Sequence, residues 1–224
     1  PQSIYKFGTY TVRAKEKGIS VVNSFGAVDR NFDPNWIVFA VKPKDIEQAS
    51  VDYKHFKSTA NYLSIAAGIS LSTLKLTLGA DARIVRGMPN MPAAVGRGIT
   101  ALLASENLDS SAREECTLML EVVGEVVWLE DERMMDTVTG VSGSGPAYAF
   151  LLIECLAEAG KKMGLSSELS GKLARSTVCG AGALAWLSDE DAATLRENVT
   201  SPGGTTAAAM DVLMDPDKGL QAIL

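Results

Sequence analysis

The sequence predicts an α/β protein: a Rossmann-type parallel-sheet domain lacking its first βα unit, followed by an all-α domain. Three observations carry this reading. Short apolar strands alternate with helical stretches through the first half. The continuous apolar run 36–41 halts at Lys42-Pro43, as a strand buried on both faces does. From Met134 onward there is no convincing strand, only long helical segments.

Taken in order, residues 3–7 and 20–24 are predicted strands flanking a helix at 10–17 that stops at Gly18. Strands follow at 36–41, 62–66 and 82–86, with a helix at 72–78 before the last. A strand at 98–104, a helix at 110–123 and a strand at 126–129 complete this half. Helices are then predicted at 144–163, 166–186, 192–199 and 205–213. Gly171, Gly180, Ala181, Gly182 and Ala183 suggest helices packed backbone-close. The change of character sets two domains, 1–133 and 134–224. The chain begins at Pro1 and stops at Leu224 inside an apolar stretch, so both ends read as truncation points.

With 224 residues, 46% of them apolar, the chain can bury a sizeable core. Its net charge of −6 argues against nucleic acid or an anionic membrane as partner. The longest unbroken apolar runs, 36–41 and 147–153, fall far short of the ~20 residues of a membrane span, and no signal peptide is visible. Cys116, Cys155 and Cys179 are odd in number and form no CxxC pair. They read as reduced, mostly buried thiols in a cytoplasmic compartment. The only histidine, His55, sits in a polar stretch and reads as surface. One histidine and no paired cysteines argue against a zinc site and against Ser-His-Asp hydrolysis.

The segment Asn198-Val199-Thr200-Ser201-Pro202-Gly203-Gly204-Thr205-Thr206 bends tightly and opens a helix. Backbone N–H groups of Gly203, Gly204 and Thr205 converging there favour an anion such as a carboxylate, with hydroxyls of Thr200, Ser201, Thr205 and Thr206 as further donors. The alternative is an ordinary capped loop, with Thr205 or Thr206 as the cap. A second segment, Gly140-Val141-Ser142-Gly143-Ser144-Gly145-Pro146, invites a dinucleotide reading. That fingerprint needs a preceding strand, whereas this one enters the helical half; close packing of helices or of a second chain is the other reading. Three more segments end successive strands: Ala40-Val41-Lys42-Pro43, Ala66-Ala67-Gly68, and Gly87-Met88-Pro89-Asn90-Met91-Pro92. Each alone is a turn; together they line one crevice at the carboxyl edge of the sheet, where open α/β sheets bind ligands.

These segments in this order resemble the pyrroline-5-carboxylate reductases, most specifically over 88–92, 138–148 and 198–206. The resemblance implies an N-terminal domain binding NADPH (or NADH) and a helical substrate and dimerisation domain that interlocks with that of a second subunit. Its cofactor contacts fall on Ala40, Val41, Lys42, Pro43, Ala67, Asn90 and Asn198, and its substrate contacts on Ser201, Gly203, Gly204, Thr205 and Thr206. The implied reaction reduces 1-pyrroline-5-carboxylate to L-proline, the last step of proline biosynthesis, in a homodimer or higher homo-oligomer without metal. Thr206 is the catalytic candidate, placed near the imine nitrogen to orient it.

Departures accompany the resemblance. There is no GxGxxG ahead of Tyr5 to grip the pyrophosphate, and Ala27 stands at the spacing of an adenosine-contacting Asn. No carboxylate follows the strand at 3–7 until Glu16, while Lys6, Thr9 and Arg13 are placed to meet a 2′-phosphate, which favours NADPH. An alternative is a catalytically inactive paralogue or dimerising scaffold without the phosphate loop. The β-hydroxyacid dehydrogenases share the plan, but the position of their Lys is Ala149 here and that of their Asn is Ile153.

Overall fold

The computed structural model describes residues 2–4, 19–22, 25–29 and 31–224. The predicted helix at 10–17, with Lys6, Thr9, Arg13, Asn23 and Ser24, lies outside the described residues. Two short strands, β1 (Gln2–Ile4) and β2 (Ser20–Val22), pair in parallel. A five-stranded sheet follows in simple sequence order: β3 (Trp36–Phe39), β4 (Asn61–Ser64), β5 (Arg83–Met88), β6 (Gly98–Ala104) and β7 (Gly124–Trp128). Between them lie α1 (Ile46–Tyr53), which the sequence reading missed, α2 (Leu71–Leu78) and α3 (Ser110–Glu121). Strands β3, β4 and β5 run parallel, as do β6 and β7, but β6 is antiparallel to β5. The sheet is thus predominantly parallel, as expected, with one antiparallel pairing. Residues 89–97 are too short a connection for a parallel crossover, which takes about 10–12 residues.

Alternation along the strands divides the core between two faces. On one, Phe39, Tyr62 and Ile84 pack with Leu74 and Leu78 of α2 and Ile46 of α1. On the other, Leu63, Val85 and Leu102 pack with Ala112 and Cys116 of α3. Phe39 stacks on Tyr62 at 6.0 Å between ring centroids, and the Tyr62 hydroxyl donates to the Tyr53 carbonyl at 2.8 Å.

Burial pushes the Cys116 thiol up to about 11 and the Tyr62 phenol up to about 12. Unfolding returns them towards their ordinary 9.0 and 10.0, so above about pH 9 the folded chain holds more protons than the unfolded one. Stability is then lost as pH rises from about 9 towards 12. Urea midpoints measured across this range should fall, and Cys116→Ala should move the onset of the fall from near pH 9 to near pH 10.

Compact packing divides the chain into Pro1–Pro146 and Ala147–Leu224. The division lies beyond the 133/134 limit read from the change of element type, because α4 (Met134–Val138), with Met135 fully buried, belongs to the first unit. A π-helical segment, Thr139–Gly143, joins α4 to α5 (Gly145–Lys162). The second unit continues with α6 (Ser167–Leu187), α7 (Ala192–Asn198), α8 (Thr205–Leu213) and α9 (Leu220–Ile223). Met134–Lys162 is one helical stretch of 29 residues containing an 18-residue window of mean hydropathy 1.2, long and apolar enough by length and composition to cross a membrane, which the unbroken apolar runs had not suggested.

The second unit buries little on its own: Ala174 is its one buried apolar residue among those described. Its close helix approach is at Gly160, where the Ser170 hydroxyl sits against the backbone and donates to the Ala157 carbonyl. Gly171, Gly180 and Gly182 face open space in the single chain. Cys155 and Cys179 are exposed as well and only Cys116 is buried, which corrects the expectation of mostly buried thiols. His55 is exposed, as anticipated.

Candidate active site

In the first unit the parallel strands β3, β4 and β5 end side by side, so Ala40, Ala67 and Asn90 follow the ends of three neighbouring strands at one edge. Ala40, Val41, Lys42 and Pro43 are all exposed. The Lys42 carbonyl accepts from the Asp45 N–H at 2.9 Å, which turns the chain away from the sheet. At the end of β4 the Ala66 N–H donates to the Ser64 hydroxyl at 3.4 Å; Ala67 is exposed, and Gly68 takes a left-handed φ of 74°. Small side chains at Ala40 and Ala67 leave the backbone uncovered, and Lys42 forms no ion pair among the described residues. That surface suits a charged, phosphate-bearing ligand.

Asn90 differs from its neighbours in being held at both ends of its amide. Nδ2 donates to the Ser142 carbonyl at 3.1 Å, and Oδ1 accepts from the Ile99 N–H at 3.0 Å. Beneath the edge, the buried Arg86 reaches Glu132 at 2.7 Å, and the same carboxylate oxygen accepts from the Leu71 N–H at 2.9 Å. This brace ties β5 to the first turn of α2. The sequence reading missed it, although an arginine inside the run 82–86 requires a partner.

In the second unit, the first turn of α8 is the distinctive element. Helices α2, α3, α6 and α7 are capped by the side chains of Ser70, Asp109, Ser166 and Asp191. Helix α8 begins after Gly204 with no side-chain cap, so neither Thr205 nor Thr206 is one. The Gly204 N–H closes the turn onto the Ser201 carbonyl at 3.1 Å. The N–H groups of Gly203, Thr205, Thr206 and Ala207 find no acceptor among the described residues, so of the expected three only Gly204 is engaged, and Thr206 and Ala207 add to the set.

The hydroxyls differ too. Thr200 donates to the Arg196 carbonyl at 2.7 Å and is spent on the end of α7. Those of Ser201, Thr205 and Thr206 have no partner among the described residues, and Thr206 is half-buried. Gly203 has a left-handed φ of 69°, and a Cβ at Gly204 would lie 2.6 Å from the Ser201 Oγ. Asn198, the last residue of α7, donates to Glu190 at 3.2 Å. Free N–H groups and three hydroxyls gathered at a helix N-terminus suit an anion.

The fold thus defines a class, a Rossmann-like α/β domain followed by a helical one. Residues 132–224 match the pyrroline-5-carboxylate reductase dimerisation family. Pyrroline-5-carboxylate reductase of Pseudomonas aeruginosa is 40% identical over 200 residues, covering 88% of this chain and 72% of the relative. A pyrroline-5-carboxylate reductase structure from Coxiella burnetii superposes with a TM-score of 0.85 at 34% identity, covering 95% of this chain and 79% of that one. The Plasmodium falciparum pyrroline carboxylate reductase, solved with NADP bound, superposes with a TM-score of 0.79 at 31% identity, covering 95% and 78%. The chain belongs to the pyrroline-5-carboxylate reductase family.

Proposed function

We propose that this protein is a cytoplasmic oxidoreductase that reduces 1-pyrroline-5-carboxylate to L-proline with NADPH (or NADH), as the last step of proline biosynthesis. The observation that carries the reading is the uncapped first turn of α8, whose free N–H groups match the substrate's carboxylate. Residues 1–133 form the cofactor domain, with Ala40, Val41, Lys42, Pro43 and Ala67 along the crevice and Asn90 in its wall. Residues 134–224 form the substrate and dimerisation domain, with Asn198 as a further cofactor contact.

A nicotinamide supplies, when bound, the hydride for the imine carbon. The rest falls to the chain. The N–H groups of Thr205, Thr206 and Ala207 hold the carboxylate, and Ser201, Gly203 and Gly204 shape the bend that aims them. Holding the ring at one end fixes the face it presents, which lowers the entropic barrier to reaction. The Thr206 hydroxyl lies at the ring nitrogen, orienting it and donating a hydrogen bond as the product amine forms. A threonine hydroxyl is too weak an acid to be the main proton source, so orientation is its larger part.

NADPH oxidation that depends on added 1-pyrroline-5-carboxylate tests the reading, and its absence in purified protein would favour the inactive scaffold. The helical unit supports a homodimer or higher homo-oligomer, since α5 leaves Tyr148, Phe150, Leu151, Leu152 and Leu156 exposed in a single chain. Light scattering at micromolar concentration should give a dimer or larger. Leu152→Glu should shift it towards monomer and lower activity in parallel.

A further inference from the structure

We propose that Asn90 is a positioning residue. Its amide clamps the loop after β5 to the π turn Thr139–Gly143 and so holds the crevice wall that receives the nicotinamide. The inference rests on the reading of that crevice given above, and it changes the part Asn90 plays there from cofactor contact to internal brace.

Pro89 and Pro92 flank Asn90 in the loop and contribute no N–H, so the loop has few main-chain donors with which to hold itself. A third proline creates the complementary need. In a regular helix the Ser142 carbonyl would accept from residue 146, but residue 146 is Pro and has no N–H. The helix accommodates this by changing register. The Ser144 N–H bonds the Thr139 carbonyl, five residues back, at 2.9 Å, and the hydroxyls of Thr139 and Ser142 donate back to the carbonyls of Met135 and Val138. Asn90 Nδ2 supplies the donor that Pro146 lacks, at 3.1 Å from the Ser142 oxygen.

Two further features fit the clamp. Asn90 Oδ1 receives the Ile99 N–H at 3.0 Å, so one amide joins the loop, the start of β6 and the π turn. The approach is also close: a Cβ at Gly143 would lie 2.9 Å from the methyl of Met88, the last residue of β5. Isolated π turns inside α-helices are rare and often mark functional sites. Here the turn and the Met-Pro-Asn loop are two halves of one joint.

Asn90→Asp separates the two ends of the clamp. It keeps an acceptor for Ile99 but cannot donate to the Ser142 carbonyl. We expect kcat to fall about tenfold, the NADPH dissociation constant to stay within about twofold, and amide exchange at residues 142–145 to quicken about tenfold, with exchange in α2 unchanged as the control for folding. Pro146→Ala restores an N–H at residue 146, so in that background Asn90→Asp should cost about threefold or less in kcat. An NADPH dissociation constant raised tenfold with exchange at 142–145 unchanged would make Asn90 a direct cofactor contact and overturn the clamp. Unchanged exchange in an active enzyme overturns it too. An unsubstituted protein that binds no NADPH overturns the crevice reading, and the positioning role with it.

Discussion

Thr206→Ala should lower the turnover of 1-pyrroline-5-carboxylate by about 10²-fold while leaving thermal stability nearly unchanged. The activity side follows from the site: removing one donor aimed at a reacting atom costs on the order of 10²-fold or more. The stability side follows from position. Thr206 is the second residue of α8, its hydroxyl caps nothing, and no described residue receives a bond from it. Alanine is the better helix former there, so the exchange should be neutral or slightly stabilising. Thr206→Ser keeps the hydroxyl and should retain activity within about fivefold. Steady-state kinetics of the two variants beside their melting curves check this, and equal activity of Thr206→Ala and the unsubstituted enzyme would remove Thr206 from the reaction.

Gly124→Ala should have the largest effect on folding. Gly124 opens β7 with φ at 144°, a conformation other residues rarely take. It also pairs directly with Gly98 across the ladder, and a Cβ there would occupy the place of the Gly98 carbonyl. The backbone cannot yield as a side chain does, so β6 and β7 would have to separate at that end. The cost is expected to be about 3 kcal/mol or more, read as a lowered urea midpoint, or as loss of soluble folded protein. Gly96→Ala is a contrast. Its φ of 68° is strained for alanine too, but no atom lies near its added Cβ, so the cost should be about 1 kcal/mol.

Much of the fold was legible because burial leaves apolar runs. Gly98–Ala104, buried along most of its length, stands out for that reason, Trp36–Phe39 is apolar throughout although its Val38 is exposed, and Thr205–Leu213 is announced by its loop. Helix α1 was not legible, since only Ile46 and Ser50 of its eight residues are fully buried and its apolar pattern is correspondingly faint. The reversal of β6 was present in the length of 89–97, a signal of chain geometry rather than of residue type. The candidate site divides in the same way. Glycine, proline and hydroxyl residues marked the α8 cradle, but which N–H groups remain free depends on where the helix starts, and only coordinates fix that. Nothing local to Asn90 shows that it meets Ser142, because the donor that Pro146 lacks comes from a residue 52 positions away.

The cradle before α8 is made of peptide groups, and that has a consequence for how such a sequence can drift. The side chain at position 207 can be exchanged without deleting a donor, and at position 205 only the hydroxyl is at stake, because every residue except proline brings the same N–H. Selection on carboxylate binding therefore acts through the shape of the bend, on Pro202, Gly203 and Gly204, more than on the groups that touch the ligand.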